Sequence, residues 1–258
     1  MSVKTVPPGR VDLDKTKEGL EKLGLVHAGE QLAALLTEAV KNGQPLHRFL
    51  DELLELELSQ REERRIRTSL RLSGLPPGQT LGNFDFSFQP SVEKSRVDTL
   101  ATCGWIREHE TVLIQGPPGV GKTHLAVGLG VKAVENGFSV AFFQLEDLLH
   151  VMKQTAAVSP KTLRRKKYLN VALLVIDEVG YQELSREEAT LLFRLVSYRY
   201  GRGSILITTN KPINAWPEIL AGDEVMATAL LDRLLHRCHV LNIKGRSYRL
   251  RDLEGRLK

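Results

Sequence analysis

The stretch that most constrains this chain is residues 111–123, where an apolar run (Val112, Leu113, Ile114) feeds the sequence GPPGVGKT from Gly116 to Thr123. A β-type run, a glycine-rich loop and a helical pattern opening at Thr123 follow one another without a gap. The loop type carries its own chemistry. Gly119 and Gly121 let backbone N–H groups turn inward, and the helix behind them presents unpaired N–H groups and a positive dipole end to the same point. That combination grips a triphosphate. Lys122 has the reach for the β- and γ-phosphates, and the Thr123 hydroxyl has the position to ligate Mg2+. Gly116, Pro117, Pro118, Val120 and His124 complete the expected binding segment.

The rest of the chain agrees with a sheet built around that strand. From Thr111 onward, strand candidates at 111–115, 139–144, 171–177, 204–210 and 239–243 alternate with helical patterns, which implies a parallel sheet covered on both faces. A helix over 123–136 stops at Asn136-Gly137. Another begins at Ser185, with Glu188 three residues on as a capping box and an apolar face of Ala189, Leu192, Phe193 and Val196. Residues 12–72 read as helices, broken at Asn42-Gly43 and restarted after Pro45. Leu75-Pro-Pro-Gly78 reads as a linker, so a helical domain over 1–75 precedes an α/β domain over 76–258.

Composition excludes some classes. No run of eighteen apolar residues occurs, which argues against a membrane span. The start, with Pro7, Pro8 and Gly9, lacks a signal-type apolar core. Two cysteines far apart, Cys103 and Cys238, suit a reducing, cytoplasmic setting. The net charge of +5 is uneven: residues 1–75 hold 12 basic and 12 acidic side chains, so the whole excess lies in 76–258. A basic nucleotide-binding domain points to a polyanionic partner such as nucleic acid.

Two further elements complete a hydrolytic pattern. Leu173-Leu-Val-Ile-Asp177-Glu178 reads as a buried strand with two acids at its C-terminal tip, where a parallel sheet opens its ligand crevice. Asp177 would hold Mg2+, and Glu178 would orient and activate the attacking water. Ser204-Ile-Leu-Ile-Thr-Thr-Asn210 is another apolar strand with a polar end. If it lies between the other two, Asn210 sits near the γ-phosphate and helps position that water. Phe84, Phe86 and Phe88, as alternating aromatics, read as good core residues.

Together GPPGVGKTHLA, LLVIDEVG and ITTNKP resemble the AAA+ ATPases of the initiator and helicase-loader clade, most of all the IstB-type transposition helper proteins, with DnaC-type helicase loaders next. The likeness extends to NFDFSF at 83–88, DRLLHR at 232–237 and GRSYR at 245–249, and it implies an adenine pocket lined by Phe84, Phe86 and Phe88 as an alternative to their core reading. It implies an α/β P-loop AAA+ domain in three layers, a small all-helical N-terminal domain, and an active site completed by a neighbouring subunit in a homo-oligomer. The arginine finger that the resemblance implies is assigned to Arg233, with Arg237 as the runner-up. About fifteen residues follow the last strand, too few for the C-terminal lid domain of many relatives, and Arg246 or Arg249 is a candidate substitute for the lid's sensing arginine. Lys161-Thr-Leu-Arg-Arg-Lys-Lys167 is the expected DNA contact, through Lys161, Arg164, Arg165, Lys166 and Lys167, with phosphate rather than stacked bases as its target. The expected function is an ATP-dependent, Mg2+-dependent regulatory ATPase that assembles on duplex DNA and recruits or activates a transposase. A loader of a replicative helicase is the alternative.

Overall fold

The computed structural model describes residues 13–155 and 166–250. The chain divides into two compact units, Met1–Arg67 and Thr68–Lys258. In the first, α1 (Asp14–Lys22) and α2 (Val26–Lys41) meet the front of α3, which runs Leu46–Ser73. Asn42 caps α2 and Gly43 follows at φ +60°, so the Asn-Gly pair ends the helix by its left-handed turn. Ala28, Leu32 and Leu53 form a small core. Beside it Glu57, only 3% exposed, accepts from the Ala28 N–H at 3.1 Å and from Arg61 Nε at 3.0 Å. Arg61 in turn donates to the Gly24 carbonyl at 2.8 Å, which ties the α1–α2 turn to α3.

The second unit is a five-stranded sheet, all parallel, in the order β2-β3-β4-β1-β5. The strands are β1 (Thr111–Gln115), β2 (Val140–Gln144), β3 (Leu173–Val179), β4 (Ser204–Thr209) and β5 (Cys238–Asn242). Each lies within two residues of its expected bounds. β4 is buried along its whole length, and the apolar positions of β1 and β3 are buried too. Burial on both faces is why these strands read as continuous apolar runs rather than as alternating ones. Each fully buried Leu or Ile contributes about 1.5–3 kcal/mol.

Helices cover both faces. After β1 comes α4 (Lys122–Glu135), whose Leu125, Ala126, Val127 and Leu129 are buried. The helix Arg186–Arg199 starts at Ser185 with the expected capping box: Ser185 accepts from the Glu188 N–H, and Glu188 accepts from the Ser185 N–H at 2.8 Å. Glu224–Leu235 starts at Asp223, which accepts from the Met226 N–H at 2.8 Å, and leads into β5. The sequence patterns do not single out three further helices, Lys94–Ala101, Leu145–Thr155 and Trp216–Ile219. Among the described residues no helix is long and apolar enough to cross a membrane.

The strand order brings the site together. β4 lies between β1 and β3, with Leu113 opposite Ile207 and Ile176 opposite Ile207 on the other side. The C-terminal ends of all three strands therefore open on one crevice. The far ends are closed differently, by Arg199. This side chain is 1% exposed and donates to the carbonyls of Val171 (2.9 Å), Ser204 (2.8 Å), Tyr168 (3.3 Å) and Ala172 (3.4 Å).

Candidate nucleotide site

The phosphate loop follows β1 and is shaped by its neighbours. Gly119 and Gly121 have φ of +79° and +96°, backbone states that glycine reaches without strain. A Cβ on Gly121 would lie 2.7 Å from the Phe84 ring, so the close approach also requires glycine. The N-terminus of α4 sits directly behind the loop. Lys122 folds back and donates to the Pro117 carbonyl at 2.8 Å. Burial lowers its pKa; the charges of Asp177 and Glu178 oppose that effect, and Arg249 adds to it.

A cavity of about 310 Å³ opens over the loop. Its floor is Pro118 to His124, and Glu178, Thr208 and Asn210 form one wall. Gln79, Asn83, Phe84 and Gln89 form another, and Tyr248 and Arg249 reach it from the end of the described chain. Of the three alternating aromatics, Phe84 lines the cavity and packs edge-on against His124 at 5.4 Å and Phe86 at 4.8 Å. Phe88 instead packs on Tyr248. His124 donates through Nε2 toward the Thr80 carbonyl (2.9 Å) and Asn83 Oδ1 (2.8 Å), so it joins the upstream segment to the loop.

The two acids at the tip of β3 are held in different ways. Asp177 is 2% exposed and accepts from the Thr123 hydroxyl at 3.1 and 3.0 Å, and from the Thr208 hydroxyl. Glu178 is exposed and has φ +62°, left-handed for a non-glycine residue. The register against β4 slips between Ile176 and Val179 at this point. Strict alternation would send the side chains of 177 and 178 to opposite faces. The bulge re-aims Glu178 into the cavity that Asp177 borders through Thr123. A left-handed non-glycine residue costs about 1–3 kcal/mol and persists only where its surroundings hold it. Here Thr208 Oγ1 accepts from the Glu178 N–H at 3.0 Å while its own proton goes to Asp177. Thr208 thus fixes both acids, a role invisible in a Thr-Thr pair. Asn210 Oδ1 is buried and has no hydrogen-bond partner among the described residues.

The remaining expected residues lie elsewhere. The Arg233 guanidinium donates to the Ala229 carbonyl at 2.6 Å and stacks 5.0 Å from the Phe193 ring. Arg237 is exposed, and its carbonyl accepts from the Thr111 N–H at 2.8 Å. Neither lines the nucleotide cavity of its own chain. In the basic run, Lys161, Arg164 and Arg165 lie outside the described residues. Lys166 precedes the short helix Lys167–Asn170, and Lys167 donates to the Leu72 carbonyl at 2.7 Å.

A parallel sheet with β4 between β1 and β3, a glycine loop feeding a helix and acids on the adjacent strand define a P-loop ATP-binding protein of the AAA+ type. The family described as IstB-like ATP binding protein matches residues 18–254, and the chain belongs to that family. An insertion sequence IS21 putative ATP-binding protein of Pseudomonas aeruginosa is 42% identical over 234 residues, covering 90% of this chain and 88% of that one. The insertion sequence IS5376 counterpart of Geobacillus stearothermophilus is 37% identical over 239 residues, covering 93% and 95%. Among solved structures, AMPPCP-bound DnaA from Aquifex aeolicus shares the fold at a TM-score of 0.54 and 20% identity, over 71% of this chain and 56% of that one.

Proposed function

We propose that this chain is a regulatory ATPase that assembles on duplex DNA in its ATP state and assists transposition, selecting or remodelling target DNA and recruiting or activating a transposase. The hydrolytic half of the reading is carried by Glu178. A strained backbone at the tip of β3 turns its carboxylate into the ATP cavity, which pure nucleotide storage would not require. The transposition half is supported by the insertion-sequence names of relatives that align over nearly the whole chain.

The geometry supports a role for each residue. The amides around Gly119 and Gly121, with Lys122, hold the β- and γ-phosphates. Thr123 and Asp177 suit a hard divalent cation, since a hydroxyl already rests on a buried carboxylate. Mg2+ held there would neutralise charge on the phosphate oxygens. Glu178 accepts a proton from water as that water's oxygen bonds to the γ-phosphorus. The bond to the β–γ bridging oxygen breaks, which leaves ADP and phosphate. Asn210 supplies the free acceptor that orients the water. Among the described residues, Arg249 is the one arginine that lines the cavity, and it enters from the strand-β5 side. In this reading an arginine that stabilises the transferring group from the open side is supplied by a neighbouring subunit in a homo-oligomer. Arg237 carries the exposed guanidinium of the two candidates, whereas Arg233 is engaged within its own subunit.

DNA contact falls to the basic run from Lys161 to Lys167. Phosphate contacts release counterions, so affinity for duplex should fall steeply with salt. Reversing charge at Arg164, Arg165 and Lys166 should weaken binding on all sequences alike and flatten the salt slope; unchanged binding would mean that this run does not contact DNA. Duplex DNA should also stimulate ATP turnover. Stimulation only by a replicative helicase on single strands would favour the loader reading instead.

A further inference from the structure

The segment after β5 makes a set of contacts that nucleotide binding alone does not explain. Residues 244–249 run back across the phosphate loop. The Tyr248 N–H donates to the Gly119 carbonyl at 2.9 Å, and the Ser247 side chain lies so close to Gly119 that no Cβ would fit there. The same segment is anchored on its other side. Lys244 N–H donates to Ser91 Oγ at 2.9 Å, and that hydroxyl donates to the Lys244 carbonyl at 2.8 Å. Gln89, 1% exposed, donates through Nε2 to the Arg246 carbonyl at 3.1 Å. Phe88 packs edge-on against Tyr248 with ring centres 5.1 Å apart.

We propose that residues 244–249 form a strap that positions the phosphate loop, with Ser91 and Gln89 as its anchors and Tyr248 as the positioning residue. The physical step is local. The peptide joining Gly119 to Val120 is planar, so its carbonyl and its N–H point in opposite directions. Holding the Gly119 carbonyl on the strap holds the Val120 N–H on the other side, and Val120 lines the cavity. The strap thus sets one of the amides that a phosphate must meet. A bound triphosphate, by fixing the loop, in turn fixes the strap, since whatever orders one orders the other.

The inference rests on the ATP site being the one described, and the test separates the two. Ser91 is outside the cavity lining, so Ser91→Ala loosens the strap without touching nucleotide. Binding of a fluorescent ATP analogue and tryptic cleavage after Arg246 are measured on the full chain, with and without ATP. ATP should slow that cleavage in the parent chain. Ser91→Ala should weaken ATP binding about three- to tenfold, the worth of one or two hydrogen bonds, and reduce the protection. Ser91→Thr, which keeps the hydroxyl, should restore both. Equal cleavage with and without ATP in a parent chain that binds the analogue would overturn the strap. So would Ser91→Ala binding ATP as tightly as the parent. Lys122→Ala serves as the control: loss of analogue binding there upholds the site whichever way the strap result falls.

Discussion

The two ends of the same sheet are built on opposite rules. At the far end, Arg199 takes a full charge into the interior and, with Nε left unpartnered among the described residues, bonds four backbone carbonyls around the starts of β3 and β4 through its two terminal nitrogens. Burial pulls its pKa down to about 10, which still leaves it charged near neutral pH. At the crevice end, the chain leaves polar atoms unsatisfied: Asn210 Oδ1, Gln79 Oε1 and Gln89 Oε1 are buried without partners among the described residues, and all three side chains line the cavity. Glu178 is strained there and the loop glycines are left-handed. One end closes a structure with internal bonds. The other withholds them for something that arrives.

The contrast predicts that substitutions at the crevice end change chemistry and that substitutions at the far end change stability. The largest effect should come from Glu178→Gln, which keeps size and ATP binding but loses the proton acceptor. Steady-state hydrolysis should fall by about 10²–10⁴, while the affinity for ATP holds. Relief of the backbone strain by Glu178→Gly should raise thermal stability and abolish turnover together. Next comes Arg199→Met, which removes the side-chain donors to four carbonyls, of which that of Ala172 also accepts from the Ser204 N–H. Its cost should be about 3 kcal/mol or more in denaturant unfolding, with ATP affinity unchanged in the folded fraction. An Arg199→Met chain that unfolds like its parent but binds ATP poorly would contradict this division of roles.

The smallest effect concerns the capping box at Ser185. Lys153 and the Ser185 cap together hold the Glu188 carboxyl down to about 2, from an ordinary value of 4.5. A lowered folded pKa stabilises the fold above the unfolded value, and that stability is lost as pH falls through the folded one. Solvent screens this partly exposed pair, so the advantage of the parent over Glu188→Gln should be about 1 kcal/mol at neutral pH. It should vanish between pH 4.5 and about 2, as followed by denaturant unfolding across that range.

Much of this is legible in the sequence because it lies in runs. The phosphate loop, the five apolar strands and the Ser185 cap are local patterns, and the strands form within two residues of their expected bounds. The family is legible because its motifs occupy contiguous stretches. What escapes a sequence reading is set by tertiary contact. The bulge at Glu178 depends on the register with β4, and the double role of Thr208 depends on β4 lying beside β3. Arg199 reads as one more charge on an amphipathic helix until the strand ends are seen beside it. The strap joins residues 89–91 to 244–248, a separation that no local spacing encodes. The resemblance assigns the arginine finger to Arg233 with Arg237 as runner-up; only the fold shows that Arg233 bonds the Ala229 carbonyl while Arg237 is exposed.

The proposed site takes an arginine from a neighbouring chain, and mixing two inactive variants exposes such sharing. Glu178→Gln chains keep Arg237 but lack the proposed base, and Arg237→Ala chains keep Glu178 but lack the proposed finger; Arg233→Ala chains are mixed in the same way. With duplex DNA and ATP, each alone should turn over little, and the mixture should regain activity because a share of interfaces pairs an intact Glu178 with an intact Arg237. A mixture no more active than its parts would contradict a site shared between subunits.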